Sequence, residues 1–180
     1  MTAFDKAFHD IQALVSTFSS NIHHYMSSGY SEAEARQDFI DNFFIALGWD
    51  VRHKHQTNPY EQEVKIEKSQ KQQNESARKR ADYAFFLAPN YKAEVFFAEA
   101  KKPSVLIHEN PQHYFQTIKY GWNSGCPICV LTDFEEFAII DCRQKPDIKY
   151  ALNGKHKVDK YTDYADKEKF AGIYWLFSRE

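Results

Sequence analysis

Ala81-Asp82-Tyr83-Ala84-Phe85-Phe86-Leu87-Ala88-Pro89-Asn90-Tyr91-Lys92-Ala93-Glu94-Val95-Phe96-Phe97-Ala98-Glu99-Ala100-Lys101 reads as two apolar strands joined by a turn. The strands are predicted over 81–88 and 93–101, and Pro89-Asn90-Tyr91-Lys92 has the composition of a four-residue hairpin loop. With the loop there, Asp82 falls opposite Glu99. Side chains alternate along a strand, so Asp82, Glu99 and Lys101 share one face of the sheet.

That convergence has an electrostatic consequence. Like charges about 4 Å apart repel by roughly 4 kcal/mol at an effective dielectric near 20, and something must offset this. Lys101 cancels part of it. A divalent cation does so better, and carboxylate oxygens are what Mg²⁺ takes while it keeps several waters. Val95-Phe96-Phe97-Ala98, just before Glu99, is an apolar run of the kind found in strands buried on both faces, where unpaired charge is costly. Mg²⁺ on Asp82 and Glu99 would polarise a phosphoryl oxygen and acidify a water that Lys101 orients or helps to deprotonate. The plainer alternative is an exposed strand end with an ordinary Glu/Lys pair.

Working outward, Phe4, Phe8, Ile11, Leu14, Val15, Phe18 and Ile22 recur at spacings of three and four, which predicts an amphipathic helix over 4–26. Ser31-Glu32-Ala33-Glu34 is a capping box that opens a second helix carrying Phe39, Ile40, Phe43, Phe44 and Leu47, with Gly48 as its stop. In that helix Glu34, Asp38 and Asp41 are expected to point away from the apolar stripe. Short strands are predicted through Trp49 and Val51 and at Val64-Lys65-Ile66. Asn110 caps a helix that has Pro111 in its first turn and ends at Asn123-Ser124-Gly125. Strands follow at 127–131 and 136–142, then a polar tail and a last helix over 167–178. That helix ends without a capping residue, so the natural chain is expected to continue.

Composition removes several classes of protein. With 43% apolar residues and a formal net charge of −2 over 180 residues, the chain is not disordered. No apolar run reaches the ~20 residues of a membrane helix, and Met1-Thr2-Ala3-Phe4-Asp5-Lys6 has no secretory pattern. Cys126, Cys129 and Cys142 are too few and odd in number for a disulfide framework, so a cytoplasmic setting is expected. Cys126-Pro127-Ile128-Cys129 enters a strand rather than a helix and lacks a second ligand pair, and reads as core. Nucleic-acid binding through overall basicity is ruled out. A local source exists between Lys68 and Arg80, where Lys68, Lys71, Arg78, Lys79 and Arg80 face only Glu75. It is either a DNA-contacting stretch or a solvated loop.

Asp82 at one strand start and Glu99-Ala100-Lys101 at the next strand's end resemble the PD-(D/E)xK nuclease signature, with Ala81 in place of its proline. Ser31-Glu32-Ala33-Glu34-Ala35-Arg36, Leu47-Gly48-Trp49, Phe97-Ala98-Glu99-Ala100-Lys101-Lys102-Pro103, Tyr120-Gly121-Trp122 and Leu131-Thr132-Asp133-Phe134-Glu135-Glu136-Phe137 extend the likeness. Together they resemble the N-terminal nuclease domain of type IIG fused restriction-modification enzymes, which is similar to the N-terminal region of type I restriction subunits. The match covers 31–180, and 1–30 is set apart as an N-terminal helix.

The resemblance implies an α/β fold, a restriction-endonuclease-like mixed sheet flanked by helices, that cuts double-stranded DNA with Mg²⁺ or with Mn²⁺ in its place. It makes Asp82 and Glu99 metal ligands and Lys101 the catalytic lysine. Gln116 and Tyr120 match a Gln-x-x-x-Tyr element, either contacting DNA or the site or lying on a solvated helix face. Glu34 matches a helix glutamate near the metal, although the capping box also accounts for it. The resemblance further implies methyltransferase and target-recognition regions elsewhere, and a dimer for cutting both strands. Asn58-Pro59-Tyr60 falls short of the Asn-Pro-Pro-Tyr methyltransferase motif, and the glycines form no phosphate loop, so neither a nucleotide nor an S-adenosylmethionine site is expected in this segment. The rival functions are a catalytically silent DNA-binding or docking domain and a stand-alone nuclease of the DNA-repair type.

Overall fold

The hairpin forms, although its turn is tighter than expected. The computed structural model describes residues 1–67 and 81–180, and in it strands β2 (Tyr83–Leu87) and β3 (Asn90–Ala100) pair antiparallel. β3 begins at Asn90 rather than Ala93, and Leu87 pairs with Asn90. Register shifts between Phe85 and Phe86 and between Phe86 and Leu87 absorb the difference. Beyond them Phe85 pairs with Phe96, Ala84 with Phe97 and Tyr83 with Ala98, the register that sets Asp82 against Glu99.

β1 (Val64–Ile66), β4 (Ile128–Thr132), β5 (Glu136–Asp141) and β6 (Lys155–Lys160) complete a six-stranded sheet in the order β1-β2-β3-β4-β5-β6. Only β3 and β4 run parallel, so the fold is the expected mixed α/β sheet flanked by helices. The crossover between them contains the α-helix Pro111–Ser124, which keeps its predicted Asn110 cap and a left-handed Gly125 end. The remaining helices are α1 (Ala3–Ser20), α2 (Ile22–Tyr25), α3 (Glu32–Ala35), α4 (Asp41–Ala46), that crossover helix as α5, and α6 (Lys167–Phe177).

Two cores lie on the two faces of the sheet. Tyr83, Phe85, Phe96, Ala98 and Ala100 share a cluster with Ile11, Phe18, Phe39, Phe44, Phe170 and Phe177 of the helices. Residues 1–30 thus contribute to the main core. Phe97, Leu131, Ala138 and Ile140 face α5 with Tyr114 and Ile118. On β3 the even-numbered residues therefore face the first core, so Glu99 and Lys101 belong with Phe97 on the α5 side. All three cysteines are buried free thiols, and Gly121 lets α5 approach Cys129 and Cys142, because a Cβ there would lie 2.5 Å from that of Cys142.

Three expectations are corrected. Trp49 and Val51 lie in a turn, not a strand: each is buried as an anchor, and Trp49 Nε1 donates to Phe177 O at 2.7 Å. The tail contains β6, which offers Val158 alone as an apolar residue and so carries no period-two signal. The second helix is not regular. Arg36–Ile40 form a π-helical turn, and the Asp41 N–H bonds to Arg36 O. In an α-helix residues five apart point about 140° away from each other, whereas an i→i+5 turn brings them to one face. Asp41 is consequently turned inward, against the expectation that it faces solvent.

The β4–β5 turn buries Asp133, whose Oδ1 accepts the Glu136 N–H at 2.8 Å. Burial foremost, with Glu135 and Glu136 adding to it, pushes this carboxyl well above the ordinary range. A carboxyl neutral in the fold and ionised in the unfolded chain costs stability as pH rises above the ordinary carboxylate value. Asp133→Asn keeps an acceptor for the Glu136 N–H and removes that cost. It is expected to raise the melting temperature near pH 7.5 and to lose the advantage near pH 4, as measured by thermal melts across pH.

Candidate active site

The site is assembled at the start of β2 and the end of β3. Asp82 precedes β2, and its Oδ2 accepts the Ala100 N–H at 2.8 Å, tying it across the hairpin. Lys101 follows β3 and is held by its own N–H on Thr132 O at 2.9 Å. Its ammonium lies 2.8 Å from Glu99 Oε1 and 2.8 Å from the Ala100 carbonyl oxygen. Glu99 is 3% exposed and Lys101 13%, so the pair is largely withdrawn from solvent. Desolvated charges need such partners.

Helix α5 lines the same face. The Gln116 amide donates to the Tyr120 hydroxyl, one helical turn apart. Burial pushes the Tyr120 hydroxyl up, and Glu99 and Asp82 act on it in the same direction while Gln116 opposes them. Tyr120 therefore stays protonated beside the carboxylates. The structure thus brings Asp82, Glu99, Lys101, Gln116 and Tyr120 together.

Glu34 is placed differently. It is exposed, and Oε2 accepts from Ser31 N and Oγ at 2.8 and 2.6 Å in the predicted capping box. The carboxylate of this turn that approaches the cluster is Glu32, with Oε2 3.9 Å from Lys101 Nζ. Lys68, Lys71, Arg78, Lys79 and Arg80 lie outside the described residues.

Sequence reasoning missed three further groups. Arg36 Nη1 lies 3.1 Å from Asp82 Oδ1. Arg36 Nε donates to the Tyr83 hydroxyl at 3.3 Å, and that hydroxyl donates to Asp41 Oδ1 at 2.6 Å. Burial alone would lower the Arg36 guanidinium, but Tyr83, Asp82 and Asp41 outweigh it and hold it up. The only signal in the sequence was a charged residue between the apolar Ala35 and Phe39. Glu67 is the third: its N–H donates to Asp82 O at 3.0 Å, and its Oε2 is buried without a hydrogen-bond partner among the described residues.

Among the described residues no three Asp, Glu, His or Cys side chains are grouped so that they could hold a metal ion together. An open site of two carboxylates is nevertheless the kind Mg²⁺ uses, since it keeps waters and takes substrate phosphate oxygens. Asp82 and Glu99, with the Ala100 carbonyl between Glu99 and Lys101, supply hard oxygen donors of the right type. Among the described residues no helix is long and apolar enough to cross a membrane.

No family model matches the chain, and no solved structure matches it. The chain is 36% identical over 171 residues to the type II restriction enzyme and methyltransferase RM.Eco57I of Escherichia coli. The match takes in 94% of this chain and spans 17% of that relative. Over almost its whole length the chain is therefore similar to one region of a restriction enzyme fused to a methyltransferase.

Proposed function

We propose that this chain is a Mg²⁺-dependent endodeoxyribonuclease domain of the PD-(D/E)xK type, the cleavage module of a type IIG-like restriction-modification enzyme, which hydrolyses phosphodiester bonds of double-stranded DNA. The observation that carries this reading is the seat of Lys101, whose ammonium rests on Glu99 Oε1 and the Ala100 carbonyl at 2.8 Å each, beside Asp82. A cationic charge already sits among oxygens suited to a metal. The similarity to RM.Eco57I supports the same reading.

Asp82 and Glu99 would hold Mg²⁺, with Mn²⁺ able to substitute. The metal would supply Lewis-acid charge against the phosphate and acidify water. The protein's own groups do the positioning. Two of the three Lys101 donors are taken by Glu99 and Ala100, and the third would orient the attacking water and meet charge developing on phosphate oxygen. Gln116 orients the Tyr120 hydroxyl, which is kept neutral and can donate to a DNA phosphate without adding negative charge. The DNA backbone would be gathered by Lys68, Lys71, Arg78, Lys79 and Arg80. The partners proposed are the methyltransferase and target-recognition regions and a second copy for cutting both strands.

Plasmid nicking by this chain with Mg²⁺ or Mn²⁺ tests the reading, with an EDTA control, the Asp82→Asn protein and gel-shift binding on the same samples. Metal-dependent nicking that Asp82→Asn removes is the expected result. DNA binding without nicking, in the presence of the partner regions, would make the chain a silent binding domain instead.

A further inference from the structure

Asp82 is held from two directions, and the second comes from an unexpected element. Its Oδ2 is bound within the sheet by the Ala100 N–H, while its Oδ1 is bound from the helical layer by Arg36 Nη1 at 3.1 Å. Arg36 is itself fixed. Its Nε reaches the Tyr83 hydroxyl at 3.3 Å, and its guanidinium carbon lies 4.8 Å from the centre of the Tyr83 ring. The Tyr83 hydroxyl is anchored in turn on Asp41 Oδ1 at 2.6 Å. The chain Asp82, Arg36, Tyr83, Asp41 thus alternates acceptor and donor, and only 12% of the Arg36 side chain is exposed.

The π-helical turn makes this chain possible. Arg36 opens it and Asp41 follows it, five positions later. On a regular α-helix those two residues would lie about 140° apart and could not both meet one hydroxyl. A turn that inserts an extra residue costs hydrogen-bond geometry, and such turns concentrate at functional sites. Here the distortion delivers one result, the attachment of the helical layer to Asp82.

We propose that Arg36 is a positioning residue for the divalent cation, fixing the Asp82 carboxylate through a relay anchored by Tyr83 and Asp41. This rests on the reading of Asp82 as a metal ligand. A carboxylate oxygen has a second lone pair, so an Arg36 hydrogen bond and a cation can share Asp82. Hydrogen-bonding partners of ligating carboxylates typically contribute 10- to 100-fold to metal affinity.

The test is Mn²⁺ binding by the full chain, followed by electron paramagnetic resonance without DNA, together with the metal dependence of plasmid nicking. Arg36→Met is expected to weaken Mn²⁺ binding by about 10- to 100-fold. The metal concentration for half-maximal nicking should rise in parallel, while the rate at saturating metal is largely recovered. Arg36→Lys, which keeps the charge but not the fork, should fall between the two. Tyr83→Phe keeps the ring in the core and removes only the anchor, so it serves if Arg36→Met does not fold, and it should weaken Mn²⁺ binding several-fold with only a modest fall in melting temperature. Wild-type affinity in folded Arg36→Met, or in Tyr83→Phe if that protein alone folds, overturns the proposal while leaving the nuclease reading intact. A wild-type chain that binds no Mn²⁺ overturns both.

Discussion

Lys101→Ala is expected to remove DNA nicking, a loss of about 10²- to 10⁴-fold or more, with DNA affinity retained within a few-fold. The ammonium lies 2.8 Å from Glu99 Oε1, and in the proposed mechanism it orients the attacking water next to the phosphate. A second effect accompanies the first. Glu99 is 3% exposed, so removing Lys101 takes an opposite charge away from a buried carboxylate. Breaking a largely buried pair costs on the order of 3 kcal/mol.

The metal-free variant should therefore melt lower than the wild type, and added Mg²⁺ should recover part of the difference by replacing the lost positive charge. Glu99→Gln combined with Lys101→Ala should regain stability without regaining activity. Thermal melts with and without Mg²⁺, run beside nicking assays below the melting range, separate the two effects. Nicking at the wild-type rate by a folded Lys101→Ala protein would remove the lysine from the mechanism.

Phe44→Ala is expected to lower stability by about 3–5 kcal/mol. Its ring is fully buried, with centroids 4.7 Å from Phe85, 5.6 Å from Tyr83 and 6.3 Å from Phe96. It is where the helical layer meets the hairpin. A domain of this kind holds roughly 5–15 kcal/mol in total, so this one truncation removes a large share. The melting temperature should fall by about 10 °C or more, as checked by differential scanning calorimetry. Phe44→Leu, which refills most of the space, should cost much less. Because the same ring supports Tyr83, Phe44→Ala should also loosen the Arg36 relay and raise the metal requirement for nicking.

Much of the site was legible before any coordinates. Asp82, Glu99 and Lys101 share a face because a strand alternates with a period of two, and that depends only on register. Composition places the loop at 89–92, while the chain turns at 88–89. The bulges between Phe85 and Leu87 restore the expected pairing at Tyr83 and Ala98, so an error at the turn did not reach the site. Gln116 and Tyr120 were likewise legible, since four residues on a helix return to one face. For Glu34 the sequence leaves a place near the metal and a role in the capping box both open, and the structure shows the Ser31 capping box holding its carboxylate.

The limits follow from the same physics. Local pattern determined the hairpin, the Asn110 and Ser31 caps, the amphipathic helices and the acidic pair with its lysine, because each depends on neighbours a few residues apart. Tertiary structure alone decided that Lys155–Lys160 is a strand, since its pairing with β5 supplies the order that its own polar sequence does not. It also decided that Trp49 is an anchor on Phe177 and that Glu32 rather than Glu34 approaches Lys101. The π-helical turn at Arg36–Ile40 belongs here too. Its geometry costs something locally, and it persists because the buried contacts of Arg36 and Asp41 with Tyr83 and Asp82, residues more than forty positions away, offset that cost.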